Sequence, residues 1–189
     1  MSDLPEASVA KKLSATSTAR ERHESRECEH PVPHVHTLAE SSSPRLKRGS
    51  ELEVEEVASS VDVVRDQGAI APEFRALQKA SVRACLARVW TRYFSSKAIR
   101  EAHWGRFSVT KLPLEAPGSS ETFAIRITGA LHIPYSEVAL PIYVDFLGFA
   151  VGPAEVGLTA SSVTQPVPAA TEQELVALLL ARAKAQALQ

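Results

Sequence analysis

Apolar and polar side chains alternate with a period of two over four stretches in the second half of the chain. These stretches are residues 107–109, 123–133, 142–149 and 156–161. Such alternation is typical of β-strands that bury one face. The breaks at 116–120 and at Gly152-Pro153 are of the kind found in hairpins. The pattern therefore predicts neighbouring strands joined in an antiparallel meander.

Two further segments show the three- and four-residue spacing of amphipathic helices. In residues 72–94 the apolar positions are Phe74, Leu77, Val82, Cys85, Leu86, Val89, Trp90 and Tyr93. This spacing predicts one helix that runs to about Phe94, with Pro72 in its first turn. The second helix is predicted to start at Thr171, which forms a capping-box pattern with Glu174. Its apolar stripe consists of Leu175, Leu178, Leu179 and Ala183.

The first third of the chain is less regular. Residues 52–64 alternate apolar side chains with Glu, Asp and Ser, which predicts a half-buried strand with a bulge near Ser59-Ser60. Residues 28–50 contain three prolines and a run of serines, which predict loops. We therefore expect a flexible segment at 1–50, partly tied by Cys28, and a single domain at 51–189.

Taken together, the elements predict an α+β fold. Its centre is an antiparallel sheet of about five strands, with an early helix and a C-terminal helix packed on it. The chain of 189 residues is long enough for one such domain and its core.

Composition and charge narrow the classes of partner and the compartment. The 21 basic and 22 acidic residues give a net charge of -1, so no basic surplus would attract nucleic acid or an anionic membrane. No apolar run approaches the roughly 20 residues of a transmembrane helix, and the start lacks a secretory signal pattern. Taken literally, the chain is cytoplasmic. The alternative is an export signal upstream of Met1, with membrane attachment only through an anchor outside this chain.

The two cysteines leave two interpretations open. Cys85 lies on the apolar side of the first predicted helix, whereas Cys28 lies in a polar stretch with no apolar neighbours to bury it. They are either unrelated thiols or one disulfide that ties the N-terminal segment to the helix. The second interpretation would place the domain in an oxidising compartment.

No constellation of residues indicates a metal site or a cofactor. The possible zinc ligands are Cys28, His30, His34 and His36, with His23 nearby. Their spacing matches no familiar zinc signature, so we expect no metal there. The few glycines form no phosphate-binding loop, which argues against a nucleotide cofactor.

Catalytic motifs are also missing. The chain contains no Gly-x-Ser-x-Gly, and His103 and His132 lie far apart in sequence with nothing to mark them as a pair. We therefore expect a protein without catalytic residues.

Several residues are candidates for ligand binding, in a cleft between the first helix and the sheet. They are Trp90, Tyr93, Trp104, Tyr135 and Asp145. The alternative for the aromatic residues is ordinary core packing. Asp145 interrupts an apolar strand. It is either a functional group with a perturbed pKa, or a structural residue that faces solvent or pairs with Arg126 across the sheet. Glu155 has the same two interpretations.

A resemblance extends over nearly the whole chain. The segments that carry it are Asp3-Leu4-Pro5, the Pro-rich stretch with Cys28, residues 59–64, Ala84-Cys85-Leu86, residues 144–159 and the C-terminal helix at 172–183. In this order the chain resembles the extracellular PknH-like sensor domains of actinobacteria and their lipoprotein relatives. The motifs are diffuse, and they indicate a fold and not a reaction.

The resemblance implies a PsbP-like α+β architecture with an antiparallel sheet and a cleft. It also implies export, a disulfide between Cys28 and Cys85, and sensing or binding at the cell envelope without catalysis. The partner would be an unknown envelope ligand or protein. The function we predict is therefore a non-catalytic exported sensor or ligand-binding domain. The alternative is a protein-interaction adaptor without a small-molecule cleft.

Overall fold

The computed structural model describes residue 28 and residues 36–49, 54–96, 102–133 and 139–187. In these ranges the chain has the α+β fold that its sequence predicts. The strands are β1 (Thr37–Ser42), β2 (Leu46–Arg48), β3 (Glu55–Val64), β4 (His103–Trp104), β5 (Ser108–Lys111), β6 (Glu121–His132), β7 (Ala139–Val151) and β8 (Ala154–Val163). The helices are α1 (Ile70–Leu77), α2 (Ala80–Ser95) and α3 (Ala169–Ala187).

The sheet has more strands than the five or so predicted. Its order across the described residues is β1-β3-β8-β7-β6-β4, with β2 beside β3 at one edge and β5 beside β6 at the other. Every pair is antiparallel. The loop prediction for 28–50 is wrong over β1 and β2. All side chains of these two strands are exposed, so no apolar alternation marks them in the sequence.

The long strands β6, β7 and β8 form the predicted meander. Val151 pairs with Ala154, so the turn between β7 and β8 contains only Gly152 and Pro153. Gly152 has a φ of +58°, which a residue with a side chain rarely adopts. The glycine therefore sets the tight hairpin and, with it, the register of both strands.

The central strands divide their apolar side chains between two faces. Toward α1 and α2 (the α1–α2 face) point Val64, Phe123, Ile125, Phe146 and Ala150. Toward α3 (the α3 face) point Ala124, Leu147, Phe149, Val156 and Leu158. The sheet is thus covered on both sides, and each face has its own core.

The segment predicted as one helix forms two. Lys79, between α1 and α2, has extended backbone with φ -73° and ψ 136°. The break lets α1 contact Val64 and Ala150 while α2 contacts Ile125 and Phe146. Periodicity continues across the break because both helices pack on the same face of the sheet. Pro72 lies in the first turn of α1, as predicted.

The start and the buried stripe of α3 also differ from the prediction. The helix begins at Ala169, which places Thr171 inside the first turn, so the capping box is wrong. Val176 and Leu180 are the most buried apolar residues of the helix, whereas Leu178 is 49% exposed. Leu175, Leu179 and Ala183 of the predicted stripe do pack against the core, so the buried side of the helix is wider than predicted and also includes positions 172, 176 and 180.

The predicted bulge in β3 is not found. Residues Glu55 to Val63 pair without interruption with Ser162 to Ala154 of β8. The irregularity lies instead in β1, between Thr37 and Ala39.

A disulfide joins Cys28 to Cys85, with 5.5 Å between their Cα atoms. Cys28 packs against the core formed by α2 and the sheet, beside Val82 and Leu86. The bond therefore fixes at least this point of the N-terminal segment to the body of the domain. None of the described helices is both long enough and apolar enough to cross a membrane.

Candidate functional site

A bidentate ion pair lies near the middle of the α3 face. Arg126 of β6 and Asp145 of β7 are direct cross-strand partners. Arg126 Nε donates to Asp145 Oδ1 at 2.7 Å, and Nη2 donates to Oδ2 at 2.6 Å. The Asp145 side chain is 1% exposed and that of Arg126 is 20% exposed. The predicted pairing is confirmed, and the solvent-facing alternative for Asp145 is wrong.

Glu172, in the first turn of α3, adds a second carboxyl group to this pair. The residue is 3% exposed. The pKa of Glu172 is raised to about 8, first by burial and then by a hydrogen bond to Asp145 and the negative charge of Asp145, while Arg126 opposes the rise. Desolvation thus outweighs the helix dipole, which favours a carboxylate in a first turn. Near neutral pH, protonated Glu172 donates to Asp145.

Two more polar side chains complete this group. Tyr143 and Ser162 are direct partners across β7 and β8, on the same face as Asp145. The guanidinium of Arg126 lies 5.9 Å from the centre of the Tyr143 ring. We refer to the five residues as the polar cluster: Arg126, Tyr143, Asp145, Ser162 and Glu172.

The polar cluster is not internally satisfied. Across the described parts of the chain, four buried side-chain polar atoms lack a hydrogen-bond partner, and two of them are Ser162 Oγ and Glu172 Oε1. Native proteins pair nearly all such atoms, so each exception calls for an explanation. The concentration of two exceptions beside a buried ion pair makes this cluster the candidate functional site.

The chemistry of the cluster favours binding over catalysis. Asp145 occupies two of the five N–H donors of the Arg126 guanidinium, which leaves three for other partners. Ser162 Oγ has no hydrogen bond to a base that would activate it as a nucleophile. Arg126 and the half-buried Tyr143 form the accessible side, while Asp145, Ser162 and Glu172 form a buried floor.

The predicted ligand-binding residues do not converge on one place. Trp90, Trp104 and the neighbouring rings of α2 pack on the α1–α2 face, whereas Asp145 lies on the α3 face. Tyr135 is outside the described residues. Binding by the aromatic residues stays a prediction.

The aromatic residues of the α1–α2 face form a packed group. The ring centre of Phe94 lies 4.8 Å from that of Trp104 and 5.0 Å from that of Phe107. Tyr93 contacts Phe94 edge-on at 5.1 Å. These distances are typical of aromatic core packing.

One of the possible zinc ligands near the N-terminus, Cys28, is not available to bind a metal. Cys28 is bonded to Cys85 and cannot coordinate a metal as a thiolate. His23, His30 and His34 lie outside the described residues. Within those residues, no group of three or more His, Cys, Asp and Glu side chains is arranged to hold a metal ion.

Glu155 lies in an acidic group on the α1–α2 face. It pairs with Asp62 across β3 and β8. The pKa of Glu155 is raised to about 7, first by burial and then by the charges of Glu73 and Asp62. Of the two interpretations of Glu155, a perturbed pKa is therefore present, but its functional role is untested.

Three members of the polar cluster were not predicted from the sequence: Tyr143, Ser162 and Glu172. A signal for Glu172 does exist, because positions 172, 176 and 180 lie on one side of a helix and the last two are apolar. A glutamate on the buried stripe of a helix needs a polar partner in the surface it covers. No comparable signal marks Ser162 among the many serines of the chain.

Comparison of the chain with models of protein families, with curated proteins and with solved structures found no match.

Proposed function

We propose that this chain is a non-catalytic ligand-binding or sensor domain that recognises a small polar ligand at the polar cluster. The observation that carries the proposal is the buried Arg126–Asp145 pair beside the unpartnered Ser162 Oγ and Glu172 Oε1. Such an arrangement costs folding free energy, and a ligand that pairs with the two free atoms would offset part of that cost.

The charges of the cluster indicate the class of ligand. Arg126 is neutralised by Asp145, and Glu172 is protonated near neutral pH, so the site carries little net charge. Arg126 offers N–H donors, and Tyr143 offers an aromatic ring and a hydroxyl group. A neutral or singly charged ligand with several oxygen acceptors fits this surface best, such as a sugar, a polyol or a small carboxylic acid.

We further propose that the protein is exported and acts at the actinobacterial cell envelope. The Cys28–Cys85 disulfide supports export, because disulfides persist in oxidising compartments. The envelope and the source rest on the resemblance to PknH-like sensor domains alone. Thiol titration of the denatured protein without reductant, on material from the native compartment, tests export. Two free thiols would contradict it.

A matched pair of variants tests where the ligand binds. We suggest screening sugars, polyols and small carboxylic acids for a rise in melting temperature, then repeating each hit with Y143F and Y93F. Y143F should reduce the rise, because Tyr143 belongs to the polar cluster. Y93F, on the opposite face, should leave it unchanged. Loss of the rise only in Y93F would move the site to the aromatic group.

A second candidate function is a protein-interaction adaptor. It is favoured by the edge strand β1, whose side chains are all exposed, and by Leu38 and Leu46, which are 57% and 66% exposed. An exposed edge with apolar side chains can add a strand from a partner. This candidate predicts no hit in the ligand screen, together with association that L38K weakens in sedimentation experiments.

A further inference from the structure

We propose that His103 and His132 bind a divalent transition-metal ion of the Cu²⁺, Ni²⁺ and Zn²⁺ class. The two imidazoles would supply the protein ligands, and water would fill the other coordination positions. This site is separate from the polar cluster and goes beyond ligand binding there.

Strand pairing brings the two histidines together. His103 of β4 and His132 of β6 are direct cross-strand partners, so both side chains leave the sheet on the same face. Their ring centres are 4.8 Å apart, and the ring planes differ by 8°. Opposed Cβ atoms in an antiparallel pair lie about 5 Å apart. This separation lets both rings reach a common point by rotation about side-chain bonds.

The geometry suits the bond lengths of a metal ion. Zinc binds imidazole nitrogen at about 2.0 Å, so two nitrogens on one ion lie roughly 3 Å apart. The 4.8 Å between the stacked rings joins their centres, and their nitrogen lone pairs lie in nearly parallel planes. Both side chains must therefore rotate about χ1 and χ2 so that one nitrogen of each ring points at the ion.

The site is also open on the side where an ion would enter. His103 is exposed and His132 is half-buried. Gly105, two residues after His103, lies beside the ring of His132, and a Cβ atom at this position would be 3.0 Å from His132 Nε2. Glycine at this position keeps the ring nitrogen clear of a side chain. The Gly105 N–H donates to the Ala130 carbonyl at 2.9 Å and holds the glycine beside the pair.

The ligand set selects the class of ion. Imidazole is a good ligand for Cu²⁺, Ni²⁺ and Zn²⁺, with Cu²⁺ the tightest, and a poor one for Mg²⁺ and Ca²⁺. Two protein ligands are fewer than the four of a structural zinc site, so the ion should exchange readily. A metal ion at this pair would correct our expectation, from the sequence, of a chain without a metal site.

Fluorescence quenching by Cu²⁺ on the full chain, with its disulfide intact, tests the site. Trp104 directly follows His103, and Trp90 belongs to the same aromatic group, so a bound Cu²⁺ should quench both. We expect saturable quenching that EDTA reverses. H103Q and H132Q should each weaken the apparent affinity by about tenfold or more, because one imidazole alone does not chelate.

The remaining histidines supply the control. H34A/H36A should leave the quenching curve unchanged, since neither residue belongs to the pair. Circular dichroism of H103Q and H132Q checks that both variants fold. If H132Q unfolds, H103Q alone decides, because His103 is exposed and lies at the sheet edge. Quenching by the folded histidine variants at wild-type affinity, or its loss in H34A/H36A, would overturn the proposal.

Discussion

Phe123 and Gly148 are direct partners across β6 and β7, and the Phe123 ring lies over the glycine Cα. A Cβ atom at position 148 would collide with the ring at Cε1. The ring also contacts Phe74 of α1 edge-on, with 4.8 Å between ring centres, so it has little freedom to move aside. The glycine thus makes room for the contact between α1 and the sheet.

We therefore expect G148A to lower the free energy of unfolding by about 1 to 3 kcal/mol, the usual cost of overpacking a core. Urea denaturation measures the change. The control is G148A in an F123A background, where the ring that would collide with the new Cβ atom is gone and the substitution should cost little. Equal stability of G148A and wild type would show that the ring can shift.

The ion pair of the polar cluster gives a second prediction. R126A leaves Asp145 buried and unpaired, which should cost about 3 to 5 kcal/mol of stability. R126M/D145L removes both charges and should recover much of that loss, because the desolvation penalty disappears with them. Wild type, R126M, D145L and R126M/D145L form a double-mutant cycle, and their four unfolding free energies measure the coupling. A double variant no more stable than R126A would contradict the buried-charge explanation.

Glu172 predicts how stability depends on pH. Its pKa is about 8 in the folded chain and near 4.5 in the unfolded chain, so between these values only the folded state keeps the proton. The stability that Glu172 contributes should therefore be fully present below about pH 4.5 and be lost as the pH rises to about 8, by up to about 4 kcal/mol. E172Q should remove the part of the fall that Glu172 causes, because glutamine cannot ionise.

The control for this prediction is E174Q, which changes an exposed glutamate two positions along the same helix. Its pH profile should match wild type. Ionisation of Glu155, whose pKa is about 7, also lowers stability as the pH rises. The stability of E172Q should therefore still fall with pH, by a smaller amount and only up to about pH 7. An E172Q profile identical to wild type would show that Glu172 does not titrate in this range.

The disulfide gives a fourth prediction. Cys28 and Cys85 are 57 residues apart, and a cross-link over a loop of this length stabilises by about 4 kcal/mol in the chain-entropy model. C28S/C85S should be less stable than wild type by up to this amount. A reductant should destabilise wild type and leave the double variant unchanged, as followed by urea denaturation. Equal sensitivity of both proteins would mean that the bond does not form.

Local pattern was sufficient for the elements whose apolar positions recur at a regular period. The helices repeat these positions every three to four residues, and β6, β7 and β8 alternate between turn residues, although both faces of the sheet are covered. The same reasoning could not find β1 and β2, whose side chains are all exposed. It also joined α1 to α2, since both present their apolar side chains to the same face.

The candidate sites depended on information that is not local. Asp145 could be matched with Arg126 only as one alternative among several, and Glu172 entered the cluster through the packing of α3 on the sheet. His103 and His132 become neighbours through the pairing of β4 with β6. None of these three relationships has a period or a spacing that the sequence alone could show.

The sequence by itself determined the fold class, the hairpin at Gly152-Pro153, the amphipathic helices and two alternatives for the cysteines, because these follow from local backbone preference and side-chain period. Only the tertiary structure decided the pairing of Cys28 with Cys85, the two faces of the sheet and the membership of the polar cluster. Strand register and helix docking set these contacts, and both depend on the free energy of the whole fold and not on local sequence.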